Sequence, residues 1–270
     1  MKIHRLLLSA AIAAAFSATL FAQAAPLGYH RVACIKVKPG QGQAFHKWAA
    51  DDPRKVDQAE VDSGEVSTSL LLRSVFPQGK SAECDYLAIS MYPGLPPQPA
   101  GMEHLSALLK KAGLTETAQE YLTRRNSLAT LISYGMFRNV VAVGTEKKGD
   151  YLRVNEMKVT DPEGMGDYIA HEKKVWQPLA EQMAKDGVTS GWSLNVRVLP
   201  HGSGLAYQAV TVDIFPSWDS VFKHDDQFVE RFNKVHPGMD FGTTMENYGK
   251  LRTIVEADLY KVEAVATPTK

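Results

Sequence analysis

Residues 151–218 decide the fold, because they read in succession as a strand, a helix and a hairpin. The strand is YLRVNEMKV (151–159), and the hairpin pairs WSLNVRVLP (192–200) with AYQAVTVDIFP (206–216). Polar and apolar residues alternate along these strands, as in a sheet whose two faces differ chemically. A weaker form of the same pattern occurs about 123 positions earlier in the chain, which points to an internal repeat.

The internal similarity extends along most of the chain and keeps its order. The matched pairs are Arg31-Val32 with Arg153-Val154, Phe45 with Tyr168, Phe76-Pro77 with Leu199-Pro200, Tyr92-Pro93 with Phe215-Pro216, and Phe137-Arg138 with Tyr260-Lys261. The first helix of each copy also contains a proline, Pro53 or Pro178. Ordered matches at a nearly constant offset indicate two copies of one unit.

Each copy is predicted to have the order β-α-β-β-α-β, which makes the protein an α+β fold. In the first copy we expect strands near 30–38, 67–76, 84–92 and 130–143, with helices near 41–62 and 101–128. In the second we expect strands near 151–160, 191–199, 206–215 and 251–263, with helices near 165–186 and 217–235. The predicted organisation is a signal peptide (1–25), repeat 1 (26–143), a charged linker (144–150), repeat 2 (151–265) and a frayed tail (266–270).

The amino terminus has the pattern of a secretory signal. Lys2 and Arg5 precede an apolar run, and Ala22-Gln23-Ala24 forms a small-residue cleavage box. No later stretch is apolar for long enough to predict a membrane span. We therefore expect the mature protein in the periplasm or outside the cell.

Charge and cysteine content narrow the classes of partner. The chain carries 30 basic and 30 acidic residues, and loss of Lys2 and Arg5 leaves a small acidic excess. Such balance gives no support for binding nucleic acid or an anionic membrane, so a small molecule is the expected partner. Cys34 and Cys84 would meet an oxidising compartment. The predicted register sets the centre of strand one against the start of strand three, which disfavours a disulfide but leaves it open.

The strand ends KVKPG (36–40) and KVTDPEG (158–164), with Gly191-Trp192 opening a second strand, resemble the dimeric α/β-barrel superfamily. That group includes antibiotic-biosynthesis monooxygenases, haem-degrading enzymes and NIPSNAP-like proteins. The resemblance implies that ferredoxin-like units pair through their sheets into a barrel with helices outside. Two units in one chain imply that the pairing is intramolecular. Because this fold serves enzymes and binders alike, it assigns no chemistry by itself.

Strand alternation predicts one polar set inside the barrel. In strand one of repeat 2, Met157 and Val159 are expected to face the helices. In the third strand we expect Val210, Val212 and Ile214 to do so. The residues on the opposite face are Glu156, Lys158, Asn195, Arg197, Thr211 and Asp213. They are either candidate ligand contacts or cross-strand pairs that satisfy a polar interface between two sheets.

A second candidate region is the cleft between the sheet and the first helix of repeat 2, where the resembling enzymes place their ligands. The helix carries the stripe Tyr168, His171, Glu172 and Trp176, and Trp192 faces it from the second strand. His171 and Glu172 are the candidate catalytic residues, with His171 as a proton acceptor or an axial haem ligand. The alternative is a packed core in which the histidine ring lies on a tryptophan.

The motifs of several other classes are missing from the sequence: GxGxxG, GxxxxGK[ST], GxSxG and HExxH. The cluster His224-Asp225-Asp226 is read as a helix start or a surface feature, so no metal is predicted. The first functional hypothesis is an exported small-molecule binder without a cofactor. The alternative is a cofactor-free or haem-type monooxygenase-like enzyme. Repeat 1 has Trp48-Ala49 where repeat 2 has His171-Glu172, so the site is expected in repeat 2.

Overall fold

The protein has a mixed α+β fold built on one antiparallel sheet of eight strands that closes into a barrel. The computed structural model describes residues 28–98, 101–160, 164–202, 204–223 and 225–269. The proposed signal peptide (1–25) and His224 lie outside these ranges. The strands are β1 (Tyr29–Val37), β2 (Thr68–Phe76), β3 (Tyr86–Tyr92), β4 (Ala129–Gly144), β5 (Tyr151–Val159), β6 (Gly191–Leu199), β7 (Ala209–Phe215) and β8 (Arg252–Ala266).

Helices cover the outside of the sheet in both halves of the chain. They are α1 (Gly42–Ala49), α2 (Asp52–Asp62), α3 (Met102–Lys111), α4 (Ala118–Leu128), α5 (Met165–His171), α6 (Gln177–Lys185), α7 (Trp218–Phe222), α8 (Phe228–Val235) and α9 (Phe241–Leu251). A π-helical segment, Glu172–Trp176, joins α5 to α6. Across the described ranges, no helix combines the length and the apolar character that crossing a bilayer requires.

The strand order around the barrel is the same in the first half (β1–β4) and the second half (β5–β8). The order is β4-β1-β3-β2 in one and β8-β5-β7-β6 in the other. The halves meet where β2 pairs with β8 and where β4 pairs with β6. The strands β4 and β8 are the longest, at 16 and 15 residues, and each pairs with strands of both halves. Closure leaves neither half with a free sheet edge.

Both faces of the strands are covered, so each strand contributes to two cores. Leu70, Leu72 and Leu152 belong to the cluster inside the barrel, together with Ile214 and Val262. On the outer face of the second half, Met157, Val159 and Trp192 pack with Tyr168. In β1, Ile35 and Val37 pack with Phe45 under the helices, while Cys34 points inward. The alternation predicted for β1, β5 and β6 is therefore observed.

The faces predicted for β7 were wrong. Val210 and Val212 line the barrel interior, whereas Thr211 and Asp213 face the helices. The apolar set of β7 was assigned to the helix side, but the barrel interior is itself largely apolar. In a strand buried on both faces, the apolar face does not identify the helix side.

The helices differ from the prediction in number and limits. Pro53 and Pro178 lie in the first turns of α2 and α6, where a missing backbone N–H costs nothing. The helix α9 was not predicted at all. The carboxyl-terminal tail does not simply fray, because Thr267 and Thr269 bond to Gln58 and Asp62 of α2.

Cys34 and Cys84 form a disulfide, with a Cα–Cα distance of 5.2 Å, which corrects the expectation from strand register. The ladder of β1 and β3 ends at Ile35 and Tyr86. Before Tyr86 the chain turns across the end of the barrel, where Lys36 donates to the carbonyl oxygens of Gly79 and Ala82. The turn takes Cys84 out of the extrapolated register and brings it to Cys34.

Candidate functional site

A cleft of about 360 Å³ lies between the sheet of the second half and its helices. Strands β5, β6 and β7 form its floor, and the helix formed by α5, the π segment and α6 forms one wall. Lining residues include Asn155, Met157, Glu172, Trp176, Met183, Thr189, Trp192, Thr211, Asp213, Tyr248 and Arg252. The sequence predicted a site in this region, and the structure places Glu172, Trp176 and Trp192 in its lining.

Glu172 is the most unusual group in the cleft, because its side chain is completely buried. It opens the π-helical segment, an irregularity that is often found at functional sites. The segment leaves the carbonyl oxygen of Val175 to accept a hydrogen bond from His236 at 2.9 Å. The hydrogen bond from His236 thus stabilises the π-helical segment, which places Glu172 in the cleft.

Two residues that the sequence did not predict surround the Glu172 carboxyl. The hydroxyl of Tyr248, on α9, donates a hydrogen bond to Glu172 Oε1. The guanidinium of Arg252, the first residue of β8, lies 3.9 Å from the centre of the Tyr248 ring. The spacing Phe241, Met245, Tyr248 after the N-cap Asp240 would have indicated this helix.

Burial raises the pKa of Glu172 to about 7. The hydrogen bond from Tyr248 and the charge of Arg252 act in the opposite direction, and Asp213 adds to the rise. A carboxyl that titrates near neutral pH can accept and return a proton under physiological conditions. This is the property expected of a general base or acid.

Several buried polar atoms in the cleft have no hydrogen-bond partner. They are Glu172 Oε2, Trp176 Nε1, Thr189 Oγ1 and Arg252 Nε, and all four residues line the cleft. The hydroxyl of Tyr168, buried one helical turn before Glu172, interacts with the Glu172 carboxyl and lowers its pKa. Buried polar groups are normally paired, because desolvation without a partner costs about 1–3 kcal/mol. Their clustering indicates a place where a ligand supplies the missing partners.

The floor of the cleft holds a second carboxyl, that of Asp213. It accepts a hydrogen bond from Asn155 Nδ2 at 3.0 Å, and burial raises its pKa. Asp213 was predicted to face the barrel interior. Its place on the outward face of β7 moves it into the cleft.

The rest of the lining is apolar and aromatic. Trp176 stands 5.4 Å from Tyr248 and 6.2 Å from Phe228, measured between ring centres. Trp192 is 6% exposed and packs in the core beneath the helix while one face lines the cleft. A largely apolar pocket with a few convergent polar groups is typical of small-molecule sites.

His171 is not among the residues that line the cleft. Its ring stacks on Tyr248 at 4.9 Å, and its Nε2 is enclosed without a partner. Burial lowers its pKa, and Lys174 and Arg252 lower it further. The position suits a neutral ring that packs behind Tyr248, whereas the packed alternative considered from the sequence placed the ring on a tryptophan.

This geometry does not fit a haem held by His171. An axial ligand must direct a ring nitrogen at the iron, whereas the His171 ring lies flat against Tyr248. Among the described residues that line the cleft there is no histidine or cysteine. That the cleft needs no cofactor stays a prediction.

Asn195 and Arg197 lie apart from the cleft, inside the barrel, as predicted from strand alternation. Asn195 accepts a hydrogen bond from Asn139 at 2.9 Å and donates one to Ser193 at 3.0 Å. This is the cross-strand pairing that the sequence allowed as the structural alternative. Arg197 stacks on Tyr207, with 3.9 Å from its guanidinium carbon to the ring centre.

The corresponding region of the first half is filled by aromatic side chains. Trp48 lies 5.8 Å from Phe45 and 5.6 Å from Tyr121, measured between ring centres. Ala49, which the predicted sequence repeat aligns with Glu172, is buried. A carboxyl at this position is therefore a feature of the second half.

No protein-family model matches the sequence, and no curated protein does. Among solved structures, the fold resembles a proposed monooxygenase from Lactobacillus acidophilus, with TM-score 0.53 and 9% identity over 89% of this chain and 96% of that one. A proposed monooxygenase from Fusobacterium nucleatum gives TM-score 0.52 and 9% identity over 90% and 95%. A haem-binding protein from Thermus thermophilus, at TM-score 0.42 and 11% identity over 87% and 91%, is too distant to carry an argument. At these identities the likeness shows the fold alone.

Proposed function

We propose that this chain is an exported, monooxygenase-like enzyme that binds a small organic molecule in the second-half cleft and uses Glu172 as a general base. The observation that carries the proposal is the Glu172 carboxyl, which is fully buried and faces the cleft with one unpartnered oxygen and a pKa near 7. The names of the two similar folds from Lactobacillus acidophilus and Fusobacterium nucleatum are consistent with this class of reaction. The amino-terminal signal pattern supports export.

Each cleft residue has a distinct task in this mechanism. The ionised Glu172 accepts a proton from an acidic hydroxyl or carbon of the substrate. Tyr248 and Arg252 stabilise the carboxylate between turnovers, since both lower its pKa. Trp176, Trp192 and the methionine side chains contact the apolar body of the substrate. The cleft walls keep water from the deprotonated substrate.

The oxidation itself requires dioxygen as a co-substrate. A methylene group activated by an adjacent phenol or carbonyl loses a proton to Glu172 and then gives electrons to dioxygen. One oxygen atom becomes a carbonyl oxygen of the product, and the other leaves as water. The substrate supplies all four electrons, so the step balances without a further reductant.

The architecture belongs to the same proposal. We infer that the two halves are copies of one ferredoxin-like unit that pair within the molecule to close the barrel. The identical strand order of the halves supports this, as do the ordered sequence matches. One copy then serves mainly to complete the fold, and the other holds the site.

A small-molecule binder without turnover is the second candidate. The unpartnered Thr189 hydroxyl and Trp176 indole favour it, because they can recognise a ligand without any chemistry. Binding and catalysis differ in what they require of Glu172. A binder needs its hydrogen bond, whereas an enzyme needs its proton transfer.

The test uses 4-nitrophenol, which reports its own ionisation by visible absorbance, and a panel of anthrones, whose ring methylene group is activated by a carbonyl group, assayed for oxygen consumption. Wild-type protein is expected to bind 4-nitrophenol as the phenolate and to consume oxygen at a rate that rises with pH through about 7. The matched variants are Glu172→Gln, which keeps a hydrogen-bonding amide, and Glu181→Gln on the exposed face of α6.

Glu172→Gln should lower oxygen consumption by about 10²-fold or more, the usual contribution of a general base, while Glu181→Gln leaves it unchanged. Binding of 4-nitrophenol without oxygen consumption from any substrate favours the binder. The proposal is contradicted if the wild-type protein neither binds 4-nitrophenol nor consumes oxygen. It is also contradicted if Glu181→Gln lowers oxygen consumption as much as Glu172→Gln does. Titration with haemin provides a separate check. A Soret band that disappears in His171→Ala would show that His171 binds haem.

A further inference from the structure

A second cavity, of about 190 Å³, lies inside the barrel and is separate from the cleft. Its walls are mainly apolar: Val32, Leu70, Leu72, Leu87, Ile89 and Val154 are among them. Several of these side chains are only partly buried, so the barrel core is not filled by its own residues. Barrels of eight strands are either filled by side chains or hold one small ligand, and this one has room left.

The cavity volume limits the size of the ligand. An apolar cavity of about 150 Å³ is large enough for benzene. A volume of 190 Å³ therefore suits one ring with a short chain, or an alkyl chain of similar bulk. Larger molecules would fit the 360 Å³ cleft but would not fit here.

One end of this cavity is strongly acidic. Here β5 and β8 run side by side, and Glu156 is paired directly with Glu256. The turn between β2 and β3 adds Glu83, and Asp258 follows on β8. Asp258 Oδ2 accepts a hydrogen bond from the Tyr260 hydroxyl at 3.2 Å, but its Oδ1 is enclosed and has no partner. Four carboxyl groups thus meet at the mouth of an apolar chamber.

The positive groups in the cavity do not neutralise this cluster. Arg197 is held between the rings of Tyr207 and Phe137, at 3.9 and 5.1 Å. His30 also lines the cavity, and burial lowers its pKa to about 4, so it is neutral at physiological pH. A ligand that enters here therefore meets an excess of negative charge and two tyrosine rings, Tyr207 and Tyr260.

We propose that the barrel interior is a second ligand site, selective for a small protonated amine with an apolar body. The apolar part would occupy the chamber lined by Leu70, Leu72 and Val154. The ammonium group would lie among the carboxylates at the mouth, where aromatic rings also attract cations. This site is independent of the proposed enzyme activity, because Glu172 does not line it.

The pKa values of the carboxyl groups at the mouth of the cavity agree with this assignment. Burial raises the pKa of Glu156 to about 7, and the neighbouring acids add to the rise. Burial also raises the pKa of Asp258 to about 6, with Glu256 as a further cause. An ammonium group favours the ionised forms, so amine binding should displace protons and strengthen as pH rises through 6 to 7. The titratable and charged groups that face the cavity are His30, Glu83, Tyr134, Glu146, Glu156, Arg197, Tyr207, Glu256, Asp258 and Tyr260.

The experiment is calorimetric titration of the mature protein with phenethylamine at pH 8 and pH 5.5. Two ligands of similar shape serve as comparisons: 2-phenylethanol, which is neutral, and 3-phenylpropionate, which is an anion. Glu156→Gln removes one charge at the mouth, and Val154→Phe fills the chamber without changing charge. Glu172→Gln makes the same change of glutamate to glutamine in the cleft. It controls for binding of the amine there.

Phenethylamine is expected to bind at pH 8 about tenfold more tightly than 2-phenylethanol, and 3-phenylpropionate should not bind. Its affinity should fall at pH 5.5, in Glu156→Gln and in Val154→Phe, and should be unchanged in Glu172→Gln. Equal binding of the alcohol would overturn the proposal, as would loss of amine binding in Glu172→Gln. No amine binding, with Ca²⁺ alone binding in a Glu156-dependent way, would also overturn it and assign a cation site instead.

Discussion

Glu172 acquires its chemistry from burial, and its partners come from distant parts of the sequence. Tyr248 and Arg252 reach it from 76 and 80 positions away. Sequence patterns indicated Glu172 as a candidate, because it lies beside an apolar helical stripe. They could not identify its partners, since spacing along the chain carries no signal over that distance. His171 looked equally promising in the sequence. Because consecutive residues of a helix point in different directions, its ring lies behind Tyr248 and not in the cleft.

Trp192 offers a test at the level of one residue, because it belongs both to the core and to the cleft wall. Trp192→Ala should lower the free energy of unfolding by about 3–5 kcal/mol, the range for large truncations in a core. Trp218→Ala is the matched control, since Trp218 is 41% exposed, and it should cost about 1 kcal/mol or less. Chemical denaturation measures both. Equal losses in the two variants would show that Trp192 is not a core residue.

At the level of elements, the sequence predicted all eight strands to within a few residues of their observed limits. It did so because each strand is a short alternating run bounded by turn residues. Which face of each strand meets the helices was harder to predict. Alternation shows that two faces differ, but only packing decides which one meets the helices, and β7 was therefore inverted. The helix α9 was missed, although four apolar residues, Phe241, Met245, Tyr248 and Leu251, mark its buried side.

The disulfide joins the turn before β3 to β1 and encloses α1, α2 and β2. Its sequence separation of 50 residues predicts a contribution of about 4 kcal/mol, through the smaller entropy of the unfolded chain. The double variant Cys34→Ser, Cys84→Ser should unfold at a correspondingly lower denaturant concentration. Addition of a reductant should lower the stability of the wild-type protein but not that of the variant. Equal stability of oxidised and reduced wild-type protein would contradict this account.

At the level of the whole molecule, the barrel closes only because each half covers the sheet edges of the other. The contacts that achieve this are the ladders β2–β8 and β4–β6. The order of elements in each half could be predicted from the succession of strand and helix patterns along the sequence. The cavities could not, because the space left inside a barrel depends on how side chains from eight strands interdigitate.

Residues 26–143 and 151–265, expressed separately, should each dimerise or aggregate, since each would expose an apolar sheet face and two strand edges. Mixing the two fragments should restore a soluble one-to-one complex with the size of the intact protein. Analytical ultracentrifugation distinguishes these outcomes. Two monodisperse, folded monomers would show that the halves do not depend on each other.

The most direct test of the central claim is a measurement of the Glu172 pKa by ¹³C-carboxyl NMR, with Glu172→Gln used to assign the signal. The carboxyl should titrate near pH 7, and Tyr248→Phe should raise that pKa further, because the lost hydrogen bond had favoured the ionised form. Adding 4-nitrophenol should move the Glu172 signal and leave that of Glu181 unchanged. If Glu172 instead titrates near its ordinary value of about 4.3 and does not respond to the phenol, the cleft is not the site that we describe.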